Sequence, residues 1–538
     1  MQGKSSKVAK KRAVTPRYIS PNQLTLLGFE TPFEQKLTTE NRWVKMAKAI
    51  PWDKIVVHYD KIFSSTEGRP PISGRVILGA LIIKHIEALS DRATIQHIQE
   101  NMFMQYFLGY TSFTNEEPFS DTLFVEIRKR LSFELLSKIN EIIALHCLNE
   151  NNNGFDQRDN DQRSDSAGLN DASTLSIPPP PVTEADQNAD KATASDQLSS
   201  IEIAVPTNNK GRLITDATVA PQNITYPTDL KLLNAARVKS EELIDILYDS
   251  ALHGPIKVRT YREVARKLFL NTARKKRNST KEIYKSNGQQ LRFLKRNLFH
   301  IDHLLMRYNT FPLTARQQKY LMVLHTVYDQ QYELFRTRNK SINDRIVNIH
   351  QPYVRPIVRG KEKAKVEFGS KLQVSLVNGF TFIDHLSWDA FNEGQYLKIS
   401  VENYKQRFGF YPKEVLGDQI YCNRENRRWL KGLGIKLIAK PLGRPSSKAV
   451  AVHLSPGERN PIEGKFGQAK IAYGLDNIKA KLDKTSQSWI ASIALVLNLV
   501  LLTRRALVAL LYHFHKQICL IHFITPYPKK LKLGGASF

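Results

Sequence analysis

Glu463 stands four residues after Arg459 and seven before Lys470. On a helix turning about 100° per residue these three positions fall close to one line, so one carboxylate would be flanked by two cations. Ile462, Phe466, Ala469 and Tyr473 make an apolar stripe beside that line, which would press the helix on a core with its charges at the rim of a cleft. A carboxylate so placed suits a metal ion, and the cations suit phosphate. The competing reading is local. Asn460 as N-cap, Pro461 in the first turn and Glu463 form a capping box, in which Glu463 bonds only the backbone.

Two aspartates stand in matching strand contexts. Residues 211–221 alternate between a bounding glycine and proline and read as a strand; aspartate is depleted in strands, so Asp216 needs a reason to be there. Residues 414–418 read as the first strand of a βαβ unit, followed by a helix over 424–430, a Gly432-Leu433-Gly434 break and a strand over 435–439. Such crossovers demand parallel strands and leave Asp418 at a carboxyl end, the edge where α/β proteins place ligands. Its local alternative is to cap the turn ahead of the helix. Asp229 sits just before a helix starting near Leu230 and reads as an N-cap.

The elements that would position these groups are legible along the chain. Residues 70–147 are helical in pattern, with Ile77, Leu78, Leu81, Ile82, His85 and Leu89 at helical spacing, Ser90 as an N-cap and 123–148 as one amphipathic segment. Residues 149–208 turn to Asn, Asp, Gln and Ser with four prolines at 178–181, a composition that cannot offset its ordering entropy and marks an acidic linker. A long helical insertion comes next, over 230–348. It concentrates Arg274, Lys275, Lys276, Arg277, Arg292, Lys295 and Arg296 among aromatic residues, a pattern suited to gripping nucleic-acid phosphates, against the plainer reading of a solvated helix face. Asn378-Gly379 between 371–377 and 380–388 is a strong hairpin signal, and a helix over 393–408 succeeds it. Residues 489–510 read as a final core helix.

Composition bounds the partner. The chain has 538 residues, enough for two or three domains, and 79 Lys and Arg against 51 Asp and Glu give a formal charge of +28. That excess points to a polyanion, with DNA first. The apolar run over 489–502 has the length of a buried helix and carries Asn498, so no membrane span is expected. Cys147, Cys422 and Cys519 lie far apart, which leaves neither a disulfide framework nor a zinc module and fits a reducing cytosol.

Several of these motifs resemble one family. Arg459-x3-Glu463-x6-Lys470 is similar to the tail of the Tyr-x2-Arg-x3-Glu-x6-Lys signature of DDE-class bacterial insertion-sequence transposases, with Pro456 at the tyrosine position. The segments 70–85, 105–110 and 128–130 resemble the helical domain ahead of the catalytic core in one branch of that family. Residues 224–237 resemble the stretch after its first catalytic aspartate, and 417–423, with Tyr421, its motif around the second.

With the insertion removed, the element order reads βββαβαβα, an α/β RNase H-like core. In that fold acids on the first strand, the fourth strand and a later helix converge on one end of the sheet, as Asp216, Asp418 and Glu463 would. The organisation expected is a basic arm (1–45), an all-α N-terminal domain (46–148), the linker (149–208), an RNase H-like DDE domain (209–515) holding the insertion (230–348), and a basic tail (516–538).

The resemblance implies two Mg²⁺ or Mn²⁺ ions held by Asp216, Asp418 and Glu463, with Asp216 bridging, and Arg459 and Lys470 on DNA phosphates. It implies terminal repeats and target DNA as partners, a homodimer on DNA and a cytoplasmic, nucleoid-associated location. The alternatives are a transposase-derived DNA-binding protein without catalysis and an RNase H-fold nuclease.

Overall fold

The computed structural model describes residues 37–61, 72–150, 209–358, 366–440 and 458–524, with the side chains of 149–150 and 506–524 outside the description. The basic arm before residue 37, the linker from 151 to 208, Pro456, Cys519 and the tail beyond 524 therefore lie outside the described residues or side chains.

Among the described residues seven helices come first: α1 (Arg42–Ala49), α2 (Trp52–Asp60), α3 (Gly74–Ile86), α4 (Asp91–Glu100), α5 (Met102–Leu108), α6 (Leu123–Arg130) and α7 (Phe133–Glu150). Ser90 caps α4 by accepting from the Ala93 N–H at 3.1 Å, as expected. The single segment expected over 123–148 is instead two helices. Leu131 leaves helical geometry at ψ 85°, and the Ser132 hydroxyl accepts from the Leu135 N–H at 3.2 Å to start a new helix. α3 is buried all round, because Gly74 and Gly79 let it approach Tyr59 and Leu108.

Among the described residues the sheet has six strands: β1 (Arg212–Pro221), β2 (Arg355–Val358), β3 (Val366–Val377), β4 (Phe380–Ser387), β5 (Glu414–Leu416) and β6 (Lys436–Ile438). β3 pairs antiparallel with β1, β2 and β4, while β1, β5 and β6 run parallel. Setting β2 aside, the order across the sheet is β4-β3-β1-β5-β6. This mixed sheet with its helices is consistent with an RNase H-like core. β2 was not expected, since Pro356 cannot donate to a ladder; it pairs only with the far end of β3, at the sheet's margin, where proline is tolerated. The β3–β4 hairpin turns at Asn378 and Gly379 with φ 47° and 76°, the left-handed pair that a two-residue hairpin requires.

Between β1 and β2 lie α8 (Asp229–Leu247), α9 (Ser250–His253), α10 (Arg262–Ala273), α11 (Thr280–Leu305) and α12 (Ala315–Thr337), which bury a core of their own around Leu233, Leu294, Ile301, Leu324 and Val327. Capping boxes start α11 at Ser279–Glu282 and α12 at Thr314–Gln317. Thr228, not Asp229, caps α8; Asp229 is the first helical residue and holds Arg345 at 2.5 Å.

After β4 the chain runs through a 3-10 turn (Glu393–Tyr396) into α13 (Leu397–Phe408). The βαβ unit comes next, with a second 3-10 turn (Gln419–Tyr421) and α14 (Arg424–Gly432) joining β5 to β6. Beyond β6 come α15 (Asn460–Tyr473) and α16 (Asp483–Ile524), which outruns the helix end expected near 510.

α16 joins the parts. Ala491, Leu495, Val496 and Leu499 share one hydrophobic core with α1–α7 and with Val377, Phe380 and Phe382 of the sheet. Within that contact Asn498 Nδ2 donates to Asn140 and to the Thr381 carbonyl at 2.8 Å each, and Asn498 Oδ1 accepts from the Thr381 N–H at 2.7 Å. The stretch Asp483–Arg505 is long and apolar enough to cross a membrane, but its apolar residues are buried in this shared core.

Candidate active site

β1 carries Asp216 opposite Val374 of β3 and past the point where β5 stops pairing, at Ile214 with Leu416. That open edge lets other groups reach Asp216. β5 ends at Leu416, so Asp418 lies just beyond it. The Asp418 side chain accepts from the Gln419 N–H at 2.7 Å and caps the short 3-10 turn, while Asn423 caps α14. The local role considered for Asp418 is thus real but leaves its other oxygen available.

α15 brings the third acid. Ile462 and Ala469 are buried, with Phe466 and Tyr473 half-buried, so the apolar stripe packs on Ala220, Leu372 and Val374 of the sheet as its spacing requires. The capping box is absent. Arg459, not Asn460, is the N-cap, with helical φ −92° and ψ −16° and no side-chain cap bond, so Glu463 is not tied to the backbone there.

One guanidinium connects all three acids. Arg459 Nη2 lies 3.0 Å from Asp216 Oδ2 and 4.0 Å from Glu463 Oε1, and Nη1 lies 3.1 Å from Asp418 Oδ1. Arg459 Nε is buried without a hydrogen-bond partner, so charge attraction rather than a saturated bonding set holds the group. The side chain of Asp216 is 14% exposed and that of Glu463 62%, so the trio runs from the sheet edge out to solvent. Burial pushes the Asp216 carboxyl above its usual range and the Glu393 charge adds to the shift, while the Ala217 N–H and Arg459 hold it down. Lys470 is half-buried on the same line of α15 as Glu463.

Two features had no sequence signal. Glu393, in the first 3-10 turn, adds negative charge near Asp216 and is paired with Lys371 at 2.9 Å. Beneath the acids, Gln373 Nε2 donates to the Thr215 hydroxyl at 2.7 Å and to the buried Tyr421 hydroxyl at 3.0 Å, tying β1, β3 and the 3-10 turn after Asp418 together. Thr215 and Gln373 stand on different strands, β1 and β3, so no local pattern in the sequence links them.

The basic insertion residues divide. Arg274, Lys276, Arg277, Arg292 and Lys295 are exposed. Lys275 is paired with Glu282 at 2.7 Å, and Arg296 is folded inward, donating to the Thr260 carbonyl and lying 4.6 Å from the Tyr261 ring centre. A cleft of about 520 Å³ between α8, α10 and the β2–β3 edge contains none of the acids. An open rim rather than a closed pocket is what a long polymer needs.

Among the described residues no three metal-ligating side chains are gathered as a ready metal cage. The trio instead surrounds a stand-in cation and offers only hard carboxylate oxygens, the donors magnesium prefers. The residues fit a divalent ion.

Two family models match the chain: a transposase domain, DUF772, over residues 31–130, and a transposase DDE domain over residues 415–500. Both matches support a DDE-type insertion-sequence transposase. The DDE match spans β5 to α16 and includes Asp418 and Glu463, while Asp216 lies outside both matches. The chain is also similar to an uncharacterized protein, ORF8 in the nfe locus of Rhizobium meliloti, at 29% identity over 99 residues, 18% of this chain. It spans about half, 46%, of that relative's length. No solved structure matches it.

Proposed function

We propose that this transposase binds the ends of an insertion sequence and catalyses metal-dependent cleavage of DNA followed by strand transfer, with Asp216, Asp418 and Glu463 as its catalytic acids. The observation that carries the reading is the convergence of the three carboxylates on Arg459 from β1, the loop after β5 and α15. The strand order without β2 supports an RNase H-like βββαβαβα core, and the helices α1–α7 support an all-α N-terminal domain.

Asp216, Asp418 and Glu463 would hold two Mg²⁺ or Mn²⁺ ions, which when bound activate a water or 3′-hydroxyl and stabilise the leaving oxygen. The protein's own part is positioning and charge. Thr215, Gln373 and Tyr421 brace the two aspartates from beneath. Arg459 and Lys470 meet the phosphate and its developing negative charge. Arg274, Lys276, Arg277, Arg292 and Lys295 supply exposed phosphate contacts at a distance, with Lys275 and Arg296 serving the insertion's own fold. No covalent protein intermediate is needed. Two ends must be held at once, so a homodimer forms on DNA, in the cytoplasm where the nucleoid lies.

The test compares wild type with Asp216→Asn, Asp418→Asn and Glu463→Gln on DNA carrying the element's own ends, with and without Mg²⁺ or Mn²⁺. Wild type is expected to cut and join only with metal, and each variant to bind but not cut. A folded wild type that binds and never cuts would leave a DNA-binding protein in its place, and cutting without joining would leave a nuclease.

A further inference from the structure

From Lys484 to Phe538 the chain contains lysines and arginines but no aspartate or glutamate. α16 delivers the first two arginines of that stretch, Arg504 and Arg505, to the β3–β4 turn. Arg505 donates to the Asn378 carbonyl and lies 4.9 Å from the Phe380 ring centre, and a Cβ on Gly379 would come within 3.3 Å of its Nη2. The turn and Arg505 therefore hold each other in place.

Lys465 meets them from α15, which packs on α16. It is half-buried and lines a narrow apolar cleft with Phe466, Thr381 and Leu497. It lies close enough to Arg504 and Arg505 for their positive charges to act on its ammonium. Neither Lys465 nor Arg504 makes a hydrogen bond or ion pair with any described residue. Like charges gathered at a partly desolvated site repel and cost stability unless an anion neutralises them.

We propose that Lys465, Arg504 and Arg505 form a phosphate-binding site for the backbone of duplex DNA, at the β3–β4 turn and across α15 from Glu463. The site rests on the reading of DNA as substrate. Lys465 lies two residues from Glu463, on the opposite side of a helix about 10–12 Å across, so a duplex laid over α15 meets the acids on one flank and the three cations on the other. The site gives the substrate a second anchor close to the chemistry, separate from the basic insertion.

The experiment uses the full chain and a duplex of arbitrary sequence. Affinity is measured against NaCl for wild type and for the double variant Lys465→Gln/Arg504→Gln, which spares the turn-bound Arg505. Melting temperature without DNA and metal-dependent nicking by wild type are followed in parallel. Losing two phosphate contacts should flatten the log–log salt slope by about 2, so a fourfold rise in salt costs the variant roughly tenfold less affinity than wild type. Its melting temperature should equal or exceed that of wild type, because a repulsion has been removed. An unchanged slope in the variant, while wild type binds and nicks, overturns the site and leaves the transposase reading standing. Weaker binding with a lowered melting temperature makes the cluster structural and also overturns it. A wild type that neither binds nor nicks DNA removes both readings.

Discussion

Arg459 is the charge that allows three carboxylates to share one edge. Without it, Asp216 would be a buried anion beside Asp418 and within range of Glu393, and like charges at such a spot raise one another's pKa. Even with Arg459 the Asp216 carboxyl stays above its ordinary 3.8, so the folded state holds that proton more tightly than the unfolded chain does. Its stabilising contribution is fully present below that value and is lost as pH rises through the raised folded pKa. Asp216→Asn should therefore gain on wild type as pH rises from 3.8 through the raised folded pKa. Thermal melts across that range decide the point, and a variant that loses ground as pH rises contradicts it. Tyr421 makes the opposite case. Tyr421→Phe strips the hydroxyl from Gln373 in a buried network, which costs roughly 1–3 kcal/mol. Urea unfolding of the two proteins reads that loss directly.

At the scale of the element, two glycines should respond in opposite ways. A Cβ at Gly369 would stand 2.1 Å from the Ala220 carbonyl oxygen, so Gly369→Ala must push β3 away from β1, the strand that carries Asp216. Little soluble protein is expected, with any that folds destabilised by about 3 kcal/mol or more. Gly467 on α15 has no atom within 4 Å of its Cβ position, and Gly467→Ala should stabilise by about 0.5–1 kcal/mol through helix propensity. Chemical denaturation separates the two, and a destabilised Gly467→Ala would mean that α15 is not helical there. Elements with strong local signals were readable in advance. The Asn378-Gly379 hairpin, the Ser90 cap and the βαβ unit each depend on a few adjacent residues. β2 was not, because four residues containing a proline carry no strand signal until β3 offers them a partner. The α6–α7 break was missed because the apolar period runs through Leu131 unbroken.

Over the whole molecule α16 is the shared strut. It carries Trp489 into a buried charge cluster in which Asp91 bonds Lys84 at 2.8 Å and Arg128 at 2.6 Å, and burial there pushes His85 down to about 3, so that it stays neutral. It also carries Asn498 between α7 and β4. Asn498→Leu orphans the Thr381 N–H and the Asn140 Oδ1, each worth roughly 1–3 kcal/mol when buried without a partner. Because the N-terminal helices and the sheet share a core here, both should lose stability together. Hydrogen exchange in α7 and in β4 is the measurement, and faster exchange confined to one of them would show the two parts to be energetically separate.

Residue order alone specifies everything that short-range physics can write: strand alternation around Asp216, the parallel unit ending near Asp418, the apolar stripe that seats Glu463 at a rim, and an excess of positive charge that calls for a polyanion. It left Glu463 divided between a cap and a catalytic acid, since both readings use the same neighbours. The folded chain leaves the helix start without its capping box and sets Arg459 against an aspartate 243 residues away, which removes the cap and leaves the catalytic role as the proposal above. Glu393 and the Thr215–Gln373–Tyr421 brace likewise take their places only in the folded chain, as do the pairing of Lys275 with Glu282 and the bond from Arg296 to the Thr260 carbonyl. Periods, turns and caps are local and act before the chain is compact. Ion pairs and buried hydrogen bonds depend on which strand edges and helix faces meet, and that is fixed only when the core closes.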